Sequence, residues 1–371
     1  MLNQTLAQWS ELFMFLAAVT YMVAFIAFAW DVAAHSRTTQ RLESQNVEKK
    51  TPARKAQLVG AGVGSTAKSG TRSANKNEGR LVSNEQGTGA RGLGFNKSAA
   101  EMLEGEVADS SMMWGSGTQK RTAARIAVAV MILGAVIHLA GVLSRAFAAG
   151  RVPWGNMYEF CTTGALVVSV VFLISLIFRD LRFVGVLVSG LALTMMTAAT
   201  IGFPTPVGHL KPALQSYWLV IHVSIAVLAS GIFTITFAMA VLQLIQTRRE
   251  RDIISGKGSK LNFMRLVPSS QALENFAFRL NAVGFVMWTF TLAAGAIWAE
   301  KAWGRYWGWD TKEVWTFVIW VVYAAYLHAR ATRGWAGPRS AWLSIAGYLC
   351  IVFNFTIVNV FFSGLHSYSG L

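Results

Sequence analysis

The chain has 371 residues, of which only 14% are charged and 54% are hydrophobic, and its mean hydropathy is +0.43. An average globular protein has about 25% charged residues, so this composition excludes an ordinary soluble protein and indicates a polytopic membrane protein. The net charge of +15 does not indicate a nucleic-acid partner, because the basic residues lie between long apolar runs. Cys161 and Cys350 stand alone in apolar runs, which argues against a disulfide framework, a zinc site or a dithiol relay.

The first apolar stretch covers residues 12–30 and is long enough to cross a hydrocarbon core of about 30 Å. It lacks a basic region and a small-residue cleavage site, so we expect residues 1–30 to be a retained transmembrane helix and not a signal peptide. Residues 31–120 are rich in Gly, Ser, Thr, Asn, Lys and Glu, without helical or strand periodicity. That composition predicts a disordered basic linker.

Seven further apolar runs lie within residues 121–371, which we expect to form one membrane domain. They cover residues 126–147, 157–178, 183–201, 217–245, 277–299, 314–330 and 340–362. Together with the first stretch, they predict an all-α polytopic integral membrane protein with about eight transmembrane helices.

The distribution of Lys and Arg predicts the orientation. If the linker is cytoplasmic and the spans alternate, 27 of the 33 Lys and Arg residues lie on the cytoplasmic side. Cytoplasmic loops of membrane proteins carry such an excess. Both termini, and the loop between the sixth and seventh spans, are then extracytoplasmic.

That loop, residues 298–315, contains five tryptophans in eighteen residues, together with Arg305, Asp310 and Glu313. The tryptophans are Trp298, Trp303, Trp307, Trp309 and Trp315. An aromatic belt at the membrane interface explains two or three tryptophans at a helix end. Five, spaced by glycines, favour a platform for a flat apolar ligand whose acidic substituents are reached by Arg or Lys.

The string WGRYWGWDTKEVW resembles the tryptophan-rich haem-handling (WWD) signature of membrane proteins of cytochrome c maturation. The strings TFVIWVVYAAYLHAR, SYWLVIHV, VNVFFSGLHSY and GRVPWGNMYEF narrow the resemblance to the CcsA/ResC family, called CcsB in some bacteria, over roughly residues 126–371. The resemblance implies a system II protein of the bacterial cytoplasmic membrane that conveys or presents haem b. In that system haem is joined to the CxxCH motif of apocytochrome c. It also implies a ResB-type membrane partner and thiol-reducing proteins that act on the apocytochrome.

Two histidines are candidates for the axial ligands of haem iron at the extracytoplasmic side. His222 lies about 7 Å into the fifth span, and His366 follows the eighth span closely, so both can reach the tryptophan loop. Neutral imidazole is a common axial ligand, and the resemblance assigns the outer histidine pair to these positions. The alternative is structural hydrogen bonding between helices.

The other four histidines have different expected roles. His328 lies roughly 21 Å along the seventh span, in the inner half of the membrane, where the resemblance implies a second haem site. The alternative is a structural histidine beside Arg330. His138 lies about 10 Å from the height of His328, so we expect the second ligand of that site to come from a partner subunit and His138 to pack or hydrogen-bond. We expect His209 to be a solvated loop residue, and His35 is assigned no role.

Two carboxylates belong to the motifs. Glu159 lies in GRVPWGNMYEF, and Asp310 precedes the seventh span within the tryptophan motif. A carboxylate can orient a ligand histidine through its second ring nitrogen, or can cap the following helix. Capping is the simpler interpretation for Asp310, and shaping of the haem loop is the alternative.

Two functional hypotheses follow. In one, the chain is the core subunit of a cytochrome c synthase, a haem lyase that positions the vinyl groups towards two thiols. In the other, it is a haem transporter or chaperone that delivers haem to a separate attachment protein.

Overall fold

The computed structural model describes residues 3–60, 102–103, 106–114, 121–208, 210, 214–257, 261–332 and 335–366. Within these residues the protein is helical, apart from turns and one isolated bridge between Ala108 and Pro268. We number the helices α1 Gln4–Gly60, α2 Thr122–Ala149, α3 Met157–Phe178, α4 Gly185–Thr197, α5 Tyr217–Ile254, α6 Ser270–Trp303, α7 Thr311–Ala331, α8 Pro338–Phe353 and α9 Asn359–Phe361. π-Helical turns extend α4 over Ala198–Gly202 and join α8 to α9 over Asn354–Val358.

Eight segments of the described residues are long and apolar enough to cross a membrane. They are Gln4–Ala34, Thr122–Ala149, Met157–Phe178, Arg182–Gly202, Tyr217–Ile254, Ser270–Trp303, Thr311–Ala331 and Pro338–Phe361. The structure confirms the all-α, eight-span fold class expected from the hydropathy of the sequence. The protein is a multi-pass membrane protein.

Polar side chains set where the helices around the tryptophan loop begin. Asn156, Ser216 and Ser269 each accept a hydrogen bond from a backbone N–H in the first turn of α3, α5 and α6. Asp310 and Glu313 form a capping box at the start of α7. These contacts satisfy N–H groups that lack a partner within the helix, which is costly where water is scarce.

The helices pack around two apolar clusters with α5 between them. One cluster is built mainly by α1 to α4 and the other by α5 to α8. Glycines permit the close approaches: a Cβ on Gly185 would lie 2.5 Å from the ring of Phe28, and one on Gly284 would lie 2.7 Å from the ring of Phe233. Small residues at such crossings allow tight van der Waals packing, which holds membrane helices together.

The expected linker differs from the structure at both of its ends. Helix α1 does not end near Trp30 but continues to Gly60, the first glycine after that tryptophan. The helix can continue because no glycine lies between Trp30 and Gly60, although Pro52 lies within it. The middle of the linker, residues 61–101, lies outside the described residues.

The last part of the linker, residues 106–114, packs against the membrane domain at the end opposite the tryptophan loop. Ala108 N–H donates to the Val267 carbonyl at 3.1 Å, and Met112 is buried in the first apolar cluster. The Glu106 carboxylate pairs with Arg249 at 2.6 Å and Arg265 at 2.5 Å. Within the expected linker, a few anchoring residues therefore hold this segment against the membrane domain.

Candidate functional site: a tryptophan-lined cavity between two histidines

The tryptophan loop is folded by one carboxylate. Helix α6 ends at Trp303, where Gly304 takes the left-handed conformation with φ 71°. Glu313 then accepts hydrogen bonds from the backbone N–H groups of Gly308 at 2.8 Å and Asp310 at 3.1 Å. Trp309 also has a positive φ of 59°, which is uncommon for a residue with a bulky side chain and indicates a backbone held by its surroundings.

Asp310 joins this loop to the C-terminal segment. Its Oδ1 accepts from Lys312 N–H at 3.0 Å, as a helix cap does, and its Oδ2 accepts from Leu365 N–H at 2.7 Å. The Nδ1 atom of His366 lies 3.5 Å from Oδ1. A Cβ on Gly364 would lie 2.6 Å from Oδ2, so the approach requires a glycine there. Asp310 therefore both caps α7 and positions the segment that carries His366.

The surroundings of Asp310 stabilise its charged form. The neighbouring His366 holds the pKa of the Asp310 carboxyl well below its ordinary value of 3.8. Burial opposes this effect, whereas the backbone N–H donors of Lys312 and Leu365 also lower the pKa. Asp310 therefore carries a negative charge beside the His366 ring at every pH near neutrality.

His222 is held by α6. Its Nδ1 lies 2.9 Å from the Thr291 carbonyl oxygen, which can only accept, so Nδ1 carries the proton and Nε2 keeps its lone pair. A Cβ on Gly295 would lie 2.7 Å from the His222 ring, so only a glycine allows this approach. The ring stacks on Trp298 with a centroid distance of 5.9 Å and an interplanar angle of 14°.

His366 reaches the same tryptophan from the other end of the chain. Its ring meets Trp298 edge to face at a centroid distance of 5.3 Å and Trp303 at 4.8 Å. Trp298 is almost fully buried, with 2% of its surface exposed. The structure thus brings together three of the predicted site residues, His222, His366 and Trp298, from segments far apart in the sequence.

Both histidines line one cavity whose empty space, including its open mouth, is about 1080 Å³. Ligand pockets typically combine apolar walls with a few placed polar groups. The aromatic and sulfur-containing lining residues are Trp154, Met157, Phe160, Trp288, Trp298, Tyr306, Trp307 and Phe355, and the polar ones are Asn156, His222, Thr291, Lys312, Glu313, Thr316, Asn354, Asn359 and His366. Two imidazoles and several aromatic rings therefore line one cavity.

The five tryptophans do not form one flat platform. Trp298 and Trp307 line the cavity, and Trp303 contacts His366. Trp309 is 77% exposed, and Trp315 packs on Phe353 at 4.3 Å, so neither belongs to the cavity lining. The platform expectation treated the motif as one surface, whereas the turn at the start of α7 sends successive tryptophans in different directions.

Two charged residues predicted for the site serve the fold around it. Arg305 lies 3.7 Å from Glu313 and covers the tryptophan loop without lining the cavity. Glu159 is 0% exposed and pairs with Arg145 at 3.0 Å and Arg151 at 2.7 Å, also away from the cavity lining. These arginines donate to backbone carbonyls of residues 205 and 208, so Glu159 anchors a neighbouring loop.

His328 lies away from the cavity. Its side chain is exposed on the same side of α7 as Phe317 and Val321. The nearby Arg330 pairs with Glu274 at 2.7 Å. His138 is fully buried, and its Nδ1 lies 3.2 Å from the Tyr21 hydroxyl, which agrees with the hydrogen-bonding role expected for it. His209 lies outside the described residues.

Sequence reasoning missed the polar group at one wall of the cavity. Lys312 Nζ lies 2.5 Å from Asn359 Oδ1, and Asn354 and Thr316 line the cavity beside them. Lys312 lies in the tryptophan loop, and the sequence alone assigns it no individual role. The signal was present, because Asn354 and Asn359 are polar residues within the last apolar run.

The fold and the cavity together define a multi-pass membrane protein with an aromatic-walled cavity that two histidines line. A family profile described as cytochrome C assembly protein matches residues 154–366, which include the cavity. The chain belongs to this family. Its role is in cytochrome c biogenesis, a process that handles haem.

Individual relatives agree with this assignment. The chain is similar to the cytochrome c biogenesis protein CcsA of Guillardia theta, with 34% identity over 60% of this chain and 78% of the relative. It is similar to the protein of the same name from Microcystis aeruginosa, with 32% identity over 66% of this chain and 85% of the relative. The corresponding protein of Prochlorococcus marinus is 34% identical over 65% of this chain and 83% of its own length. The resemblance to the CcsA family is confirmed.

Among solved structures, the chain is similar to the cytochrome c haem lyase CcmF, with a TM-score of 0.47 and 17% identity over 70% of this chain and 45% of that one. This likeness is too distant to support an argument about function.

Proposed function

We propose that this protein binds haem b as its substrate in the tryptophan-lined cavity and presents it for covalent attachment to the CxxCH motif of apocytochrome c. One observation carries the proposal: His222 and His366 line the same cavity and share a contact with Trp298. Two imidazoles at one site are the ligand set of a bis-histidine haem iron.

The partners of the two rings support this assignment. A histidine that binds a metal usually donates its second ring N–H to a carbonyl or carboxylate, which fixes the tautomer and the ring orientation. His222 gives its Nδ1 proton to the Thr291 carbonyl, and Asp310 lies beside Nδ1 of His366. In both cases the arrangement leaves Nε2 to coordinate iron.

The walls of the cavity suit a reduced haem. Trp288, Trp298, Trp307 and Phe355 present aromatic surface to the empty space. Aromatic and apolar walls bury the faces of the macrocycle and exclude water, which favours the ferrous state over the ferric one. The protein then contributes position and protection, while the thioether bonds form between the vinyl groups and the thiols of the apocytochrome.

The positive-inside distribution supports an orientation for this site. Because 27 of the 33 basic residues lie on the side of the linker, that side is assigned to the cytoplasm. The cavity then opens on the extracytoplasmic face of the bacterial cytoplasmic membrane, and both termini lie on that face as well. Apocytochrome c reaches the cavity from that face after thiol-reducing proteins have reduced its cysteines.

A second activity, transport of haem to this cavity, is favoured by the exposure of His328. An ionisable side chain on the outward face of a transmembrane helix is costly unless another protein covers it. A ResB-type partner that packs on this side of α7 and supplies a second histidine would complete a haem site within the membrane.

Reconstitution tests the proposal. The protein, purified with its ResB-type partner and loaded with reduced haem, is mixed with reduced apocytochrome c, and covalently bound haem on the apocytochrome is measured. An apocytochrome with both CxxCH cysteines replaced by serine is the matched control and should gain none. Haem that leaves the complex but stays non-covalent would contradict attachment and favour the transporter or chaperone hypothesis.

A further inference from the structure

Lys312 is a cation without a matching anion. Its Nζ reaches the cavity and contacts the amide oxygen of Asn359 at 2.5 Å. Among the ion pairs of the described residues, no carboxylate lies within 4.0 Å of this ammonium group. Lys312 is half-buried, and charges removed from water are normally paired, so the arrangement leaves a place for an anion.

The position of Lys312 at a helix N-terminus increases its need for an anion. The residue lies in the first turn of α7, where the partial positive charge of the helix end disfavours a cation. Asn359 has its own second contact, since its Nδ2 lies 2.6 Å from Met157 Sδ. The amide of Asn359 is therefore held on both sides and orients the ammonium group instead of neutralising it.

A neighbouring polar side chain without a full set of partners marks this wall of the cavity as polar. Asn354 is 1% exposed, and its Oδ1 has no hydrogen-bond partner among the described residues. Its Nδ2 lies 3.3 Å from Thr316 Oγ1. The π-helical turn Asn354–Val358 begins at Asn354 and leads to Asn359, and such turns are frequent at functional sites. Because this oxygen can only accept a hydrogen bond, it calls for a donor such as water, and only Lys312 offers donors to a carboxylate.

We propose that Lys312, oriented by Asn359, binds a carboxylate substituent at the edge of the flat ligand in the cavity. This inference rests on the proposed function, in which that ligand is haem and the carboxylate is a propionate. Two axial histidines fix the plane of the macrocycle but leave it free to turn about the axis through the iron. A third contact at the rim fixes this rotation, and with it the positions of the two vinyl groups, which lie away from the propionates. Lys312 is thus a positioning residue for attachment.

The experiment compares haem with its dimethyl ester, in which both carboxylates are neutral. The purified protein with its partner is titrated with each compound, and the bis-histidine spectrum reports occupancy of the cavity. The wild type should bind the diacid about 10- to 100-fold more tightly than the ester, as expected for one hydrogen bond to a charged group. Lys312→Met should bring this ratio close to one, and Lys312→Arg should keep most of it.

Lys301→Met is the matched control, because the Lys301 side chain is 58% exposed, pairs with Glu300 at 3.1 Å and lies outside the cavity lining. It should leave the ratio unchanged. A second variant, Asn359→Leu, should lower the ratio even if Lys312→Met fails to accumulate.

The outcomes separate the two proposals. A wild type that binds diacid and ester equally, with a bis-histidine spectrum in both, overturns the role of Lys312 but leaves the haem site intact. An unchanged preference in a folded Lys312→Met protein overturns it as well. If neither compound gives a bis-histidine spectrum in the wild type, the proposed function fails, and the inference fails with it.

Discussion

Replacing Asp310 by Asn separates the two roles of this carboxylate. Asn is as good a helix cap as Asp, so the contact to Lys312 N–H survives through Oδ1. The Leu365 N–H, however, loses its acceptor at 2.7 Å, because the amide nitrogen that replaces Oδ2 can only donate. The His366 ring also loses the negative charge 3.5 Å from its Nδ1.

The size of the effect follows from these contacts. A hydrogen bond to a charged group contributes about 1.5–3 kcal/mol, and loss of the partner of a ligating histidine typically costs 10- to 100-fold in metal affinity. We expect Asp310→Asn to lower haem affinity by about 10- to 100-fold without unfolding α7. Asp310→Ala should cost about 1 kcal/mol more in stability, because it also removes the cap.

The pH dependence gives an independent check. The pKa of Asp310 is lowered in the folded protein, so its contribution is fully present above the ordinary value of 3.8 and is lost only as the pH falls through the lower, folded-state value. The difference in folding stability between wild type and Asp310→Asn should therefore stay constant between about pH 5 and pH 8. Thermal unfolding at several pH values measures this difference, and haem titration at one pH measures the difference in affinity. Equal affinities of the two proteins in this range would refute the positioning role.

Four further predictions concern other residues and segments. Gly295→Ala should reduce haem affinity through the His222 ring, since the added Cβ would lie 2.7 Å from it, whereas thermal stability should change less; an unaltered spectrum would contradict this. His328→Gly should deplete haem at the cavity without changing the axial ligands there, and added imidazole should restore it; full haem content in this variant, measured per protein, would exclude a relay. Deletion of residues 61–101 should leave cytochrome c maturation largely intact, whereas Glu106→Ala should lower membrane levels, because it removes the anion shared by two arginines. Loss of maturation at normal protein levels after the deletion would point to a partner-binding role for that segment.

The sequence was sufficient for the spans but not for all of their ends. Apolar runs of about twenty residues identify membrane helices because backbone polar groups must be satisfied within them. Helix α6 begins at Ser270, seven residues before the expected span, because Ser269 caps a polar first turn that hydropathy does not count. Glu106 is another example, since a charged residue in a polar segment gives no sign that two arginines far along the chain will hold it.

Site residues could be predicted where the type of side chain is specific for the chemistry. They could not be predicted where the outcome depends on which way a side chain points. His222 and His366 were found because histidine near a membrane interface is rare and because the motifs matched a family. Sequence spacing did not show that Trp315 packs on Phe353, or that Glu159 faces two arginines, because a helical period assigns residues to faces but not to the partners opposite. Lys312 was passed over for the same reason.

The reduced optical spectrum of the protein purified with its partner tests the central claim most directly. The account predicts a bis-histidine haem in the wild type, loss of this spectrum with weaker haem binding and easier oxidation in His222→Gly and in His366→Gly, and partial restoration of both by imidazole. His138→Gln is the matched control, because His138 contacts Tyr21 within the helix packing, and it should keep the wild-type spectrum. An unchanged spectrum in either glycine variant would show that the histidine replaced there is not an iron ligand.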